Sequence, residues 1–243
     1  MQLRDVVVIC SVCFNYSSVS NANIHVHSLN FRTMMTKNWM KVILINLAVG
    51  LMVISPFLPG PSNNLVNLLY NSGQISGLFG LIFIPIGLIW MIRILRKKRN
   101  DVKYQVDTRA IILLTLPLTL FVTAFYVSGL ARNFSRDFAI NRTEDLIQSI
   151  EKFKEKRGKY PNSLTELTPD FISAIPSPFI MGIKDYYYTN LGDNYNISFQ
   201  QNVILSFNFE VVTFDPRDNH NAHGDLKDLY DTGKRHWKYY VYD

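Results

Sequence analysis

Three uncharged apolar runs, at about residues 42–58, 75–92 and 110–130, constrain this chain more than any other feature. Each is close to the roughly 20 helical residues that cross ~30 Å of hydrocarbon. Lipid offers no partner for backbone N–H and C=O groups, so such runs are predicted to be helices. Each central Leu, Ile, Val or Phe favours insertion by about 0.3–0.6 kcal/mol. Trp39 stands at one interface of the first run and Pro59-Gly60-Pro61 end it, while Pro85 and Pro117 fall inside the other two and read as tolerated kinks. No run carries an internal charge, and charged or readily charged residues inside spans are the usual mark of a transport pathway or proton relay. Transporter or pump chemistry is therefore not expected.

Orientation follows from the loops. Arg93, Arg96, Lys97, Lys98, Arg99, Lys103 and Arg109 lie between the second and third runs, whereas residues 60–74 hold no Lys or Arg. Lys and Arg accumulate on cytoplasmic loops. The N-terminus is thus predicted to be cytoplasmic and everything after Leu130 external. The formal net charge of +6 has the same origin. Basic residues beside apolar spans point to a membrane and not to nucleic acid.

Residues 1–33 contain the short apolar run Val6–Phe14, too short to span, and Ser20-x-Ala22 resembles a signal cleavage site. Asp5, however, stands where a signal would be basic, and Met34 and Met35 precede a conventional membrane start. Residues 1–33 are expected to be an over-long start or a disordered tail, 34–131 the membrane domain and 132–243 a soluble domain. Cys10-x-x-Cys13 supplies two ligands where a structural zinc takes four.

The soluble part should begin with a helix. Phe134, Phe138, Leu146, Ile147, Ile150 and Phe153 recur at helical spacing. Gly158 suits its C-cap, after Lys154, Lys156 and Arg157 where the helix dipole favours cations. Whether this helix continues the third span or breaks at Asn141-Arg142-Thr143 is left open. Ser163-Leu164-Thr165-Glu166 has capping-box form. The period then changes to two, with Tyr195, Ile197 and Phe199, then Val203, Leu205, Phe207, Phe209 and Val211, alternating with mostly polar neighbours. Asp185–Thr189 and Trp237–Tyr242 read as further strands, with a turn at Leu191-Gly192-Asp193-Asn194. The fold class is α+β: three transmembrane helices, then a long helix packed on a small antiparallel sheet.

The run from Ile150 to Leu167, with its helix ending in Arg157-Gly158-Lys159-Tyr160-Pro161 and a capped turn after it, resembles the major (G-type) pseudopilins of type II secretion and type IV pilin-like domains. Ile175-Pro176-Ser177-Pro178-Phe179, Gly182 and the tyrosine strand continue the likeness, which covers about residues 140–200. Thr108-Arg109-Ala110-Ile111 lacks the Gly-Phe junction of a prepilin peptidase site, so neither processing nor filament assembly is implied. The resemblance implies a pilin-like external domain on a multi-pass anchor in a bacterial inner membrane, meeting envelope proteins in secretion or assembly.

One polar cluster could hold a metal. Asp215, Asp218, Asn221 and Asp225 offer hard oxygen ligands that suit calcium, and the resemblance favours a calcium loop late in the domain. His220 and His223 with a carboxylate would suit zinc. The same composition also describes a solvated turn. No nucleophile motif, phosphate loop or His-Glu-x-x-His is present, so no enzyme and no catalytic residue is expected. Tyr186, Tyr187, Tyr188, Tyr239, Tyr240 and Tyr242 fit either a binding face or ordinary strands. A non-catalytic protein acting by contact is the leading expectation. A sensor with an external ligand site and a metal-dependent envelope hydrolase are the alternatives.

Overall fold

A computed structural model describes residues 39–100, 108–205, 207–224 and 227–243. Residues 1–33 and Lys103, Asp225 among the expected metal ligands, and the side chain of Lys98 lie outside what it describes.

Three helices are long and apolar enough to cross a membrane: Trp39–Phe57, Asn64–Lys97 and Thr108–Arg157. The first is α1 (Trp39–Phe57), which tightens to a 3-10 turn at Ser55–Phe57. The second comprises α2 (Asn64–Gly80), a 3-10 stretch at Leu81–Phe83 just before Pro85, and α3 (Ile84–Asn100). The third comprises α4 (Thr108–Val122), a π-helical turn at Thr123–Val127, α5 (Ser128–Asn141) and, after Arg142 and Thr143, α6 (Glu144–Arg157).

The second and third helices thus outrun the apolar stretches predicted for them. Asn63 starts α2 well before Ile75, its side-chain oxygen accepting the Leu65 N–H at 2.9 Å. This cap satisfies a donor that the first turn leaves free.

Glycine lets these helices approach closely. A Cβ at Gly73 would lie 2.7 Å from Val53 on α1, one at Gly77 2.9 Å from the Phe121 backbone nitrogen, and one at Gly80 2.7 Å from Pro117. In lipid, close packing of this kind replaces the hydrophobic drive that water supplies. One polar clamp adds to it. Asn46 donates to Thr115 at 3.1 Å and accepts from Thr119 at 2.8 Å, tying α1 to α4.

The sheet is five-stranded, antiparallel and ordered β1-β2-β3-β5-β4, with β1 (Tyr187–Asn190), β2 (Tyr195–Ile204), β3 (Asn208–Phe214), β4 (Tyr230–Asp231) and β5 (Trp237–Tyr242). Ile197 opposes Phe214 and Phe199 opposes Val212. These residues, with Tyr195 and Trp237, pack on Leu146, Ile150 and Phe153 of α6 to form the main core. Period two in β2 and helical spacing in α6 therefore meet at one buried interface.

Three expectations need correction. The alternating run Val203-Leu205-Phe207-Phe209-Val211 is not one strand. The chain reverses at Leu205, whose φ is +48°, so Val203 belongs to β2 while Phe209 and Val211 belong to β3. The short β4 had no sequence signal. Ser163 caps a 3-10 turn, Leu164–Leu167, and accepts the N–H of Thr165 at 3.3 Å instead of that of Glu166. With so long a bond, Ser163→Ala is expected to cost about 0.5 kcal/mol, the low end for a cap. Thermal unfolding of the full chain measures this, and a loss near 2 kcal/mol would mean a stronger cap than the geometry describes.

Candidate functional site

The sheet domain is fastened to the helix ends. Residues 179–183 run antiparallel to residues 56–60 with a bridge between Pro59 and Ile180. Gly60 N–H donates to Phe179 O at 3.0 Å, Met181 N–H to Leu58 O at 3.0 Å and Gly182 N–H to Pro56 O at 2.7 Å. Asn63 N–H then donates to Met181 O at 2.9 Å. Gly182 is required here, because a Cβ would sit 2.6 Å from Pro56 O. Further along α2, Asn202 donates to Asn71 at 2.9 Å. The domain therefore lies at the same end of the helices as residues 58–63, opposite the end that carries Arg93, Arg96, Lys97 and Arg99.

A charged joint closes the inner side. Arg136 on α5 grips Glu210 on β3 with two parallel bonds of 2.7 and 2.8 Å. Gln201 on β2 donates to the same carboxylate at 2.7 Å and accepts from Ser135. The Tyr239 ring lies 3.8 Å from the Arg136 guanidinium carbon. Glu210 and Arg136 are 2% and 7% exposed. Ser135, Arg136, Gln201 and Glu210 did not stand out in the sequence. The only signal was a polar residue, Gln201, in phase with the apolar Tyr195, Ile197 and Phe199, whereas the alternation through Phe209 and Val211 placed Glu210 among the outward polar neighbours.

The opposite face of the sheet is polar along β2. The segment after β3 folds across it and leaves a groove of about 620 Å³, within the range of ligand sites. Asn196, Ser198 and Gln200 of β2 line it on one side and Asn219, His220 and His223 on the other. His220 Nε2 lies 3.1 Å from Thr213 O and 3.2 Å from His236 O. Both are acceptors, so Nε2 is the donor. At the groove's end Arg217 pairs with Asp193 at 2.7 Å and holds that exposed carboxyl below the usual carboxylate range.

The expected metal ligands take separate roles. Asp215 is buried, and one of its oxygens accepts from the Asn194 side chain at 3.0 Å and from Arg217 N–H at 2.8 Å. Asp218 faces His236 at 3.0 Å. Asn221 is exposed on the groove's rim, and Asp225 lies outside the described residues. Among the described residues no three His, Cys, Asp or Glu come together as ligands.

Asp215 is engaged by Asn194 and Arg217 and Asp218 by His236, so the two carboxylates do not converge on one cation. Calcium is therefore expected to leave the unfolding midpoint of the full chain unchanged against EDTA. A rise that Asp218→Asn abolishes would restore the calcium loop, and a rise with zinc alone that His223→Ala abolishes would point to zinc.

The tyrosines divide between the two readings. Tyr186 donates to Ala139 O at 2.6 Å and Tyr188 to Pro161 O at 2.8 Å, each fastening the sheet to the helical layer, and burial pushes both hydroxyls above their usual range. Tyr187 and Tyr242 are exposed.

No family model, curated protein or solved structure matches the chain.

Proposed function

We propose that this is a non-catalytic, multi-pass membrane protein that holds a pilin-like domain outside the cytoplasm for contact with other envelope proteins. The observation that carries the reading is the fastening of the sheet domain at two places, the Pro56–Asn63 clasp and the Arg136–Glu210 joint, while a groove on its outer face stays open. A surface held in a fixed pose above a bilayer loses little further freedom on binding, which favours recognition. A long helical segment packed on an antiparallel sheet supports the pilin-like comparison. The basic end of the helices, opposite the domain, supports an external domain through the charge rule.

A reporter active only outside the cytoplasm is expected to work when fused after Asp243 and to fail at Asn100. Activity at Asn100 would reverse the orientation. For the contact itself, a photo-crosslinking residue at Gln200, exposed on the outer face, is expected to capture one discrete protein in the native membrane. The same residue at Lys152, exposed on α6, should not. Equal capture at both sites, or none at Gln200, would refute recognition through this face.

The groove favours a second reading, a membrane sensor whose external domain binds a small polar ligand. Asn194, 5% exposed at its edge, has a side-chain oxygen without a partner among the described residues. A small-molecule adduct at Gln200 in place of a protein would favour this reading.

A further inference from the structure

We infer that the β2–β3 turn is a membrane-interface anchor, presenting the side chains of Ile204 and Phe207 to the headgroup–acyl boundary beside α2. Three independent features of the turn carry this.

The first is depth. The turn is held by Tyr70 and Gln74, and their neighbours lie inside the apolar runs. A Cβ at Gly73 would meet Val53, and the Tyr70 hydroxyl lies 3.3 Å from Ala124 O. Val53 stands roughly 7 Å along the helix axis inside the end of its apolar run at Leu58, at 1.5 Å per residue. The turn's attachment points thus share a level with residues that composition assigns to lipid.

The second is how the turn's backbone is satisfied. Val203 O accepts from the Tyr70 hydroxyl and from Gln74 Nε2, each at 3.0 Å, and Leu205 N–H donates to Gln74 Oε1 at 2.7 Å. Phe207 N–H donates to Ile204 O at 2.8 Å. A turn in water leaves such groups to solvent. One at membrane depth must find them partners in protein, since each unsatisfied group costs several kcal/mol there. Gln74 is fully buried, and both ends of its amide serve the turn.

The third is what the turn shows outward. Phe207 is 73% exposed and Ile204 42%. Those values match the outward residues of the helix that leaves the third span, Tyr126 at 68% and Leu130 at 73%. Aromatic residues concentrate where a bilayer meets water. An element bathed in lipid needs its backbone groups paired and its side chains apolar; here Val203 O and the N–H groups of Leu205 and Phe207 are paired, and the exposed Ile204 and Phe207 side chains are apolar. The occupant is therefore phospholipid, continuous with the lipid around the spans, and not a further protein.

The full chain, with Cys10 and Cys13 changed to Ala, is labelled with a nitroxide at Phe207→Cys in nanodiscs of phosphatidylcholine and phosphatidylglycerol in equal parts. Ile204→Cys is the second site and Asp193→Cys, at the far turn of the sheet, the reference. Circular dichroism and the unfolding midpoint check that each labelled chain is folded. Labels at Phe207 and Ile204 are expected to collide with oxygen more, and with a water-soluble nickel chelate several-fold less, than the label at Asp193. Chelate access equal to that at Asp193 would overturn the anchor. Shielding from both reagents would also overturn it, because protein and not lipid would then cover the turn.

Discussion

Glu210→Ala is expected to destabilise the full chain by about 3–5 kcal/mol, because it leaves the buried Arg136 without its counter-charge and the partly exposed Arg132 beside it. Glu210 is 2% exposed and takes both bonds of the Arg136 fork, while the Arg132 Nε lies 3.4 Å away. The same substitution also deprives Gln201 of its acceptor. Desolvating two charges is costly, so the pair itself is worth much less than its disruption. An Arg136→Met, Glu210→Leu double variant should therefore recover most of the loss. Denaturant unfolding of the reconstituted chain, followed by circular dichroism, tests both statements. A cost below about 1 kcal/mol for Glu210→Ala would mean that water reaches the pair and that the joint does not hold the domain to α5.

Phe199→Ala should cost about 3–5 kcal/mol, the range for emptying a core aromatic site. The Phe199 ring is fully buried, with ring centroids of Tyr186 and Trp237 at 6.0 and 6.1 Å. It bridges the sheet to the segment that docks on the helix ends, so its neighbours cannot collapse into the space without moving a strand. Phe207→Ala is the contrast, because its side chain leaves no core cavity and the loss should stay within about 0.5 kcal/mol in detergent. Comparable losses at the two sites would mean that the turn packs on protein.

Those two phenylalanines show what a period can and cannot convey. Phe199 sits in Tyr195-x-Ile197-x-Phe199, and alternation alone sends it inward because successive strand side chains face opposite ways. Phe207 sits in an equally regular alternation that the chain cuts with a reversal at Leu205. The local pattern hardly announces that reversal, since its usual residues, Gly, Asn or Asp, are absent from positions 205–207. The turn is held instead by Tyr70 and Gln74 from more than a hundred residues earlier.

The candidate site follows the same division. Asp215, Asp218 and Asn221 look like a cluster because they are close in sequence, yet the backbone bends at Asp218, where φ is +59°, and sends their side chains to different partners. Gln201, Glu210 and Arg136 look unrelated and form a buried, two-pronged charged contact.

The sequence by itself determined the three apolar helices, the cap at Gly158, the strands β1, β2 and β5 and the α+β class. These depend on hydrophobicity, helix termination and side-chain period, all properties of neighbours along the chain. The tertiary structure alone decided that α2 extends to receive the sheet, that Gly182 closes on Pro56, that Glu210 meets Arg136 and that Tyr70 and Gln74 hold the Leu205 turn. Each of these is a meeting of residues distant in sequence. Its energy comes from desolvation and hydrogen-bond satisfaction at the contact, quantities that exist only once both partners are in place.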